Sequence, residues 1–240
     1  MKTGYFVGID AGTSMVKAAL FDMQGNEVCV SSRRSLVEEP QFGWSEFNMD
    51  ADWNAAAGVI SDLIGKSGVA KTDILGIGLG GKGAGICFLD ENNRPVRNGI
   101  LWNDARSADM LAEWMENGKL EEIFYATSNW LAAGECGMIL PWIKANAPEI
   151  LDKTKHFCSP INWMCYNLTG EFGSNATDFY TQIDETRNYS EKVLAIEGIS
   201  DLRDKFLPMQ EPWELCGKVT KKAAELTGLA EGTPVASVGW

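Results

Sequence analysis

The feature that most constrains the fold is an apolar strand that ends in an acid and turns at once into a second strand. Residues 5–9 form the first β-rich run, Asp10 follows it, and residues 15–22 form the second run. The small or hydroxylic residues 12–14 between them favour a tight turn. A third extended run, 27–33, follows after Gln-Gly-Asn, which predicts a hairpin. The chain is therefore expected to begin with three antiparallel strands.

The first turn has a residue pattern that suits phosphate binding. Gly12, Thr13 and Ser14 would expose backbone N–H groups that can wrap phosphate oxygens. Asp10, at the strand end, is placed to hold a hydrated magnesium ion, which prefers one or two carboxylates together with substrate phosphates. The segment does not match the Walker pattern, which leads into a helix. The alternative from these residues alone is an ordinary hairpin turn.

Composition and charge exclude several classes of protein. The 240 residues are 45% hydrophobic and 22% charged, which is typical of a soluble globular domain with its own core. A net charge of -12 with scattered basic residues argues against nucleic-acid binding. No stretch reaches the roughly 18 apolar residues of a membrane span, and no signal peptide is visible. We expect a cytoplasmic protein without membrane association.

The cysteines and the single histidine narrow the chemistry further. The six cysteines include no Cys-x-x-Cys pair, and His156 is the only histidine. A zinc site and a Ser-His-Asp triad are therefore not expected. Scattered thiols predict a reducing compartment and buried, unreactive cysteines.

The rest of the chain alternates helical and extended patterns. Ala51–Ile64 is predicted as a helix, with Asn48 or Asp50 as its N-cap and Gly65 near its end. Further predicted elements are a buried strand at 74–79, a hairpin of 87–89 with 95–101, and helices at 104–116, 137–146, 161–168 and 220–227. This order predicts an α/β fold of the ribonuclease-H type, with a mixed sheet flanked by helices.

Six motifs occur in the order found in one enzyme family. They are residues 8–14 (GIDAGTS), 43–46 with Trp53 (GWSE…W), 76–90 (GIGLGGKGAGICFLD), 100–106 (ILWNDAR), 168–171 (LTGE) and 227–235 (TGL…GTPV). Across essentially its whole length the chain resembles the N-terminal domain of the FGGY carbohydrate kinases.

The resemblance implies a two-domain, actin-like ATPase architecture with nucleotide bound between the domains. Residues 1–240 would form the N-terminal, sugar-binding domain, and the C-terminal nucleotide-binding domain would be absent from this sequence. The general-base aspartate of the family is expected just after Trp240, so no catalytic base is assigned here. The resemblance also implies ATP as phosphoryl donor and Mg²⁺ held by Asp10, and Lys17 could add positive charge near the phosphates. The alternative for Lys17 is a solvated strand lysine.

The tryptophan motif supplies three predicted substrate-binding residues. Asp104 would accept hydrogen bonds from sugar hydroxyls, Arg106 would hold that carboxylate or a hydroxyl, and Trp102 would offer an apolar face. The alternative for Asp104 is a helix N-cap, and for Trp102 a place in the core.

The loop at residues 80–85 departs from the family pattern. Xylulokinases usually carry Gln-Met-His-Gly here, whereas this chain has Lys82, Gly83 and Ala84 before Gly85. We predict Lys82, Gly83 and Ala84 as substrate-binding residues, with a surface lysine as the alternative for Lys82. The glycine-rich version is similar to that of L-xylulose and erythritol kinases, which puts D-xylulose in doubt. Residues 129–138 are expected to line the same cleft, but no residue there is chosen.

The resemblance implies ATP-dependent phosphorylation of a small sugar, with a pentulose such as xylulose as the first candidate. The alternatives are an erythritol, glycerol or gluconate kinase, or a non-catalytic actin-like nucleotide-binding module. The expected partner is a small sugar or polyol, with neither nucleic acid nor membrane, and a homodimer is left open. Without a general base, this chain alone is predicted to be inactive.

Overall fold

A computed structural model describes residues 4–175, 177–211 and 213–239. Twelve strands lie in these ranges: β1 (Tyr5–Ala11), β2 (Met15–Asp22), β3 (Glu27–Arg34), β4 (Glu46–Phe47), β5 (Ile74–Gly81), β6 (Cys87–Leu89), β7 (Gly99–Ile100), β8 (His156–Cys158), β9 (Ser174–Asn175), β10 (Met209–Gln210), β11 (Leu215–Lys218) and β12 (Pro234–Gly239). Six of them form the main sheet, and the others pair in twos.

The main sheet has the order β11-β12-β5-β1-β2-β3. The β1–β2 and β2–β3 pairs are antiparallel, whereas β5 pairs with both β1 and β12 in parallel. This mixed pattern confirms the predicted α/β fold of the ribonuclease-H type, which is also the actin-like ATPase fold. Alternation of buried and exposed residues along β1 and β2 gives the sheet one buried face.

Eight α-helices are present in the same ranges: α1 (Met49–Ser67), α2 (Ala108–Glu116), α3 (Lys119–Thr127), α4 (Cys136–Asn146), α5 (Pro148–Lys153), α6 (Pro160–Thr169), α7 (Glu191–Glu197) and α8 (Lys221–Thr227). Side chains from α1, α6 and α8 pack on the buried face of the sheet and form the first core with it. A second core, between α4, α7 and the β6–β8 pair, lies under the loops that follow β5.

Helix α1 shows where the local signals succeed and where they fail. Asn48 is its N-cap, since the Asn48 side chain accepts a hydrogen bond from the Ala51 N–H at 2.9 Å. Gly65 lies near the end of the helix, as predicted, but does not terminate it, because a glycine inside a helix costs only about 1 kcal/mol. The helix continues to Ser67 and ends at Gly68, whose φ of 67° is the left-handed conformation that glycine adopts readily.

The cysteines differ from the expectation in one respect. A disulfide joins Cys165 on α6 to Cys216 on β11, across a sequence separation of 51 residues. Cys87, Cys136 and Cys158 are buried free thiols, as predicted, whereas Cys29 is half-buried. The prediction of unpaired thiols is therefore wrong for one pair, which only the packing of α6 against the sheet brings together. Within the described ranges, no helix is both long and apolar enough to cross a membrane.

Candidate functional site

The predicted phosphate loop connects β1 to β2 at one end of the main sheet. Asp10, the penultimate residue of β1, is exposed and lies opposite Lys17 in the antiparallel ladder, so both side chains emerge on the same exposed face. A Cβ atom on Gly12 would lie 2.9 Å from the Met15 carbonyl oxygen, which is too close for any other residue at this turn. The Ser35 hydroxyl donates to the Gly12 carbonyl oxygen at 2.7 Å and braces the turn from β3.

This turn forms one side of a cleft of about 510 Å³. The lining residues are Asp10, Gly12, Thr13, Gly81, Lys82, Gly83, Ala84, Trp102, Ala132, Glu135 and Tyr180. The cleft thus brings together seven of the eleven predicted site residues, which lie in three separate segments of the sequence. Ser14 and Lys17 are exposed beside the cleft, and Asp104 and Arg106 do not line it.

The glycine-rich loop lies directly against the end of β1. The Lys82 backbone N–H donates to the Ala11 carbonyl oxygen at 3.0 Å, and Gly81 approaches so closely that a Cβ atom there would lie 2.5 Å from the same oxygen. Ala84 has a φ of 56°, a conformation that is uncommon for a residue with a Cβ atom. Such strain persists where the surrounding structure holds it, and it concentrates at functional sites.

The side chain of Lys82 points away from the cleft. Its ammonium lies 2.6 and 2.8 Å from the carboxylate oxygens of Asp52 on α1, and the Lys82 side chain is only 1% exposed. The ammonium also lies 5.1 Å from the centre of the Phe47 ring. Burial raises the pKa of Asp52, although the Lys82 charge opposes that shift. The surface-lysine alternative is wrong, and a Lys82 ammonium contacting substrate is not supported by this geometry either. Only the backbone of Lys82 faces the cleft.

Asp104 and Arg106 form a buried ion-pair network instead of a substrate contact. The Arg106 guanidinium donates to the Asp104 carboxylate at 2.8 and 2.9 Å and to Glu46 at 2.6 Å, and it lies 4.0 Å from the centre of the Trp44 ring. The Asp104 carboxylate also accepts the Ser45 N–H at 2.6 Å. Because Asp104 is only 1% exposed and fully engaged, the predicted contact with sugar hydroxyls is corrected to a structural role.

The helix-cap alternative for Asp104 is also wrong. Helix α2 begins at Ala108, with Ser107 at the N-cap position, so Asp104 lies outside the helix. Its carboxylate accepts the backbone N–H of Arg106 at 2.9 Å, which closes a local turn. This turn lies two residues after Trp102, which lines the cleft.

Trp102, which was predicted to bind substrate, lines the cleft. Its ring is half exposed, so the core alternative is wrong. The indole N–H donates to the Thr13 hydroxyl at 3.2 Å, and this bond joins the phosphate loop to the tryptophan segment across 89 positions of sequence. The apolar face of the ring is therefore available to the carbon chain of a small molecule in the cleft.

Two polar residues of the cleft wall, Glu135 and Tyr180, were not chosen from the sequence. Glu135 lies within residues 129–138, the segment that was expected to line the cleft, whereas Tyr180 was missed. The Tyr180 hydroxyl donates to one carboxylate oxygen of Glu135, and the Ala132 N–H donates to the other at 3.1 Å. Burial raises the pKa of Glu135 against the effect of these two bonds. Burial and the neighbouring carboxylate also raise the pKa of the Tyr180 hydroxyl.

One feature of the sequence distinguishes Glu135 from its neighbours. It is an isolated acid between Gly134 and the apolar helix α4, and Gly134 packs so tightly that a Cβ atom would lie 2.0 Å from the Trp102 carbonyl oxygen. Tyr180 carries no comparable signal in the sequence.

The cleft suits a divalent cation that keeps most of its water ligands better than one whose ligands all come from the protein. Among the described residues, no group of three or more His, Cys, Asp or Glu side chains could hold a metal ion. Asp10 nevertheless offers one exposed carboxylate beside the N–H groups of the turn. This arrangement fits Mg²⁺, which keeps several waters and uses one or two carboxylates together with substrate phosphates.

The sequence and the structure both match known proteins. The family model described as "FGGY family of carbohydrate kinases, N-terminal domain" matches residues 5–240. The chain belongs to the FGGY family of carbohydrate kinases.

Two curated relatives of this FGGY chain are similar over nearly all of its length. An L-xylulose/3-keto-L-gulonate kinase of Escherichia coli strain K12 is 32% identical over 236 residues, which cover 97% of this chain and 47% of that protein. A probable L-xylulose kinase of Pasteurella multocida is 34% identical over 235 residues, which cover 96% of this chain and 48% of that protein. The chain thus spans about half the length of these relatives.

A solved structure agrees with the FGGY assignment. The crystal structure of a xylulose kinase from Rhodospirillum rubrum superposes with a TM-score of 0.88 at 26% identity, over 98% of this chain and 48% of that chain. The described fold is therefore that of one half of an FGGY kinase.

Proposed function

We propose that this chain provides the phosphate loop and the sugar-binding wall of an ATP-dependent carbohydrate kinase. The reaction is transfer of a phosphoryl group from ATP to a hydroxyl of a small sugar, with a pentulose such as xylulose as the first candidate. The observation that best supports this proposal is that Asp10 and Thr13 line the same cleft as Trp102 and Glu135. A phosphoryl donor and a polyol acceptor could therefore meet there.

The phosphate side supports the donor half of this proposal. Phosphoryl transfer depends mainly on positioning and on neutralising charge. Gly12 and Thr13 would approach the terminal phosphate, and Asp10 would hold hydrated Mg²⁺ through its carboxylate. The bound cation would neutralise charge that develops on the transferred group. Lys17, opposite Asp10 on β2, adds a positive charge within the same surface.

The other side supports the acceptor half. Glu135 and Tyr180 offer hydrogen-bonding groups, while Trp102 offers an apolar face, and this combination suits a sugar. Gly83 and Ala84 line the cleft between the two sides and would contact the substrate through backbone atoms. A non-catalytic nucleotide-binding module would have no use for this wall. The names of the relatives support L-xylulose and xylulose as the first sugars to test, with 3-keto-L-gulonate, which the Escherichia coli relative's name also gives, as a sugar acid to test beside them.

The direct test is a substrate panel with the full-length protein that contains residues 1–240, called the full chain below, because these residues alone are predicted to be inactive. ADP release would be measured with L-xylulose, D-xylulose, erythritol, glycerol and gluconate, with and without Mg²⁺. Thermal shift on the same panel reports binding independently of turnover, because a ligand at 100 times its Kd adds about 2.7 kcal/mol of stability. We expect ADP release with at least one sugar. Neither ADP release nor stabilisation by any sugar or polyol would contradict the proposal and favour the non-catalytic module.

A further inference from the structure

The charges that face the cleft are unbalanced. Among the described lining residues, the ones with acidic or basic side chains are Asp10, Lys82, Glu135 and Tyr180. Lys82 is the one cation of this set. Its ammonium forms an ion pair with Asp52 and its side chain is only 1% exposed, so the Asp52 carboxylate already neutralises its charge. The cleft therefore presents two carboxylates, Asp10 on the proposed phosphate side and Glu135 on the opposite wall. No cationic side chain among the described lining residues faces Glu135.

Glu135 is held so that it can accept further hydrogen bonds. Each of its oxygens already accepts one bond, from the Ala132 N–H and from the Tyr180 hydroxyl respectively. A carboxylate has about four acceptor positions, so each oxygen retains capacity for a ligand hydroxyl. Two neighbouring hydroxyls of a sugar are a matching pair of donors.

The support behind Glu135 makes its position rigid. Glu135 directly precedes α4, and its backbone carbonyl accepts the N–H groups of Met138 and Ile139 at 2.9 Å. On its other side Gly134 packs against the backbone of Trp102. The carboxylate is therefore not free to swing away from an incoming group of like charge.

We infer that Glu135, positioned by Tyr180, is a specificity-determining residue that selects neutral sugars and polyols over sugar acids. This inference rests on the proposed kinase function and deepens it. A neutral sugar donates hydroxyl hydrogens to the Glu135 carboxylate. A sugar acid bound with its carboxylate at this wall would place two negative groups together, and such like-charge contacts are an effective means of rejecting the wrong ligand.

The test compares kcat/KM for L-xylulose and for gluconate in the full chain. Wild-type protein should prefer the neutral sugar by on the order of a hundredfold. Glu135→Gln preserves shape but removes the charge, so it should reduce this preference at least tenfold. Glu149→Gln removes the same charge from an exposed position on α5 and should leave the preference unchanged.

Two further variants separate charge from positioning. Glu135→Asp keeps the charge on a shorter side chain, so it should weaken neutral-sugar binding while still rejecting gluconate. Tyr180→Phe removes the bond that orients Glu135 and should raise the KM for the neutral sugar, with little change in the KM for ATP. A merely structural role for Tyr180 would not split the two KM values in this way.

The outcomes distinguish this inference from the proposed function. Equal use of gluconate and L-xylulose by the wild-type protein would overturn the inference and leave the kinase function intact. The wild-type ratio needs no variant, so it decides even if Glu135→Gln fails to fold. A folded Glu135→Gln protein with an unchanged ratio would also overturn it. Absence of turnover with every sugar would instead overturn the proposed function, and the inference with it.

Discussion

The two sides of the cleft are built in different ways. The proposed phosphate side comes from one continuous turn, and its carboxylate, Asp10, is exposed at a strand end. The opposite side is assembled from Trp102, Glu135 and Tyr180, and the bond between the last two spans 45 positions of sequence. Its carboxylate is buried and has a raised pKa. A local turn can be read from neighbouring residues, whereas an assembled wall depends on the packing of distant segments.

The same contrast separates the polar groups of the cleft from those just beneath it. The Lys82–Asp52 pair and the separate Asp104–Arg106–Glu46 network are both buried, and each is held by its own ion pairs. They support the loop and the tryptophan segment without reaching the cleft. Charged residues in a recognisable motif can therefore serve the structure of a site rather than its ligand.

The largest expected effect tests the phosphate side. In the full chain, Asp10→Asn should lower kcat on the order of a thousandfold, because the cation that neutralises the transferred phosphoryl loses its carboxylate. The unfolding temperature should change little, since Asp10 is exposed. Steady-state ADP release across a Mg²⁺ titration measures this effect. Asp204→Asn, at an exposed position outside the cleft, is the control. Unchanged turnover and Mg²⁺ dependence would return Asp10 to the role of a turn residue.

The second-largest expected effect tests whether the Lys82 side chain stabilises the fold. Lys82→Met should destabilise the fold by about 3–5 kcal/mol, because it leaves the Asp52 carboxylate buried without its partner. The double variant Lys82→Met/Asp52→Leu should recover most of that loss, since an apolar pair replaces the ion pair. Denaturant unfolding of Lys82→Met, Asp52→Leu, the double variant and the wild type completes the cycle. Additive losses in the double variant would contradict a coupled pair.

A third prediction concerns pH and the support behind the sugar side. Glu197 is buried under α4, accepts a hydrogen bond from Gln182 at 2.9 Å, and has its pKa raised by burial to about 8. The folded state therefore keeps a proton that the unfolded state loses above its ordinary pKa of 4.5. The stability that Glu197 contributes is complete below about pH 4.5 and falls as the pH rises toward 8, by roughly 4 kcal/mol.

Glu197→Gln should remove this loss. The variant should be more stable than wild type at pH 8 and differ less at pH 5, as measured by unfolding midpoints across that range. Glu149→Gln, an exposed acid on α5, should not change the slope of the wild-type curve. Identical pH profiles for wild type and Glu197→Gln would show that Glu197 is ionised in the folded protein.

The smallest expected effect concerns Ala84, in the loop between the two sides of the cleft. Ala84→Gly should stabilise the fold by about 1 kcal/mol, because a glycine has no Cβ penalty at a φ of 56°. Ala19→Gly on β2 should instead cost about 0.5–1 kcal/mol, as glycine does within a strand. The stabilities are compared through the denaturant concentrations at which half of the wild type and half of each variant are unfolded. A loss of stability in Ala84→Gly would mean that the methyl group packs favourably in the loop.

Much of the secondary structure followed from local signals. The three opening strands, the strand at β5 and the helices α4, α6 and α8 were predicted and are confirmed to within a few residues. Helices α3, α5 and α7 were missed. They have nine residues or fewer, and α3 is helical because Leu120 and Ile123 are buried against neighbouring elements. Short helices depend on such packing, since their nucleation is unfavourable in isolation.

The sequence by itself determined the mixed sheet, the turn between β1 and β2 and membership of the FGGY family, because strand alternation, turn chemistry and ordered motifs are all local properties. It also identified Trp102, which does line the cleft. Only the tertiary structure decided which charged residues face the cleft. Lys82, Asp104 and Arg106 turn inward to buried partners, whereas Glu135 and Tyr180 face the cleft. The physical reason is that the direction and protonation of a polar side chain depend on the partners and burial that distant segments supply, and residue type or local spacing does not encode these.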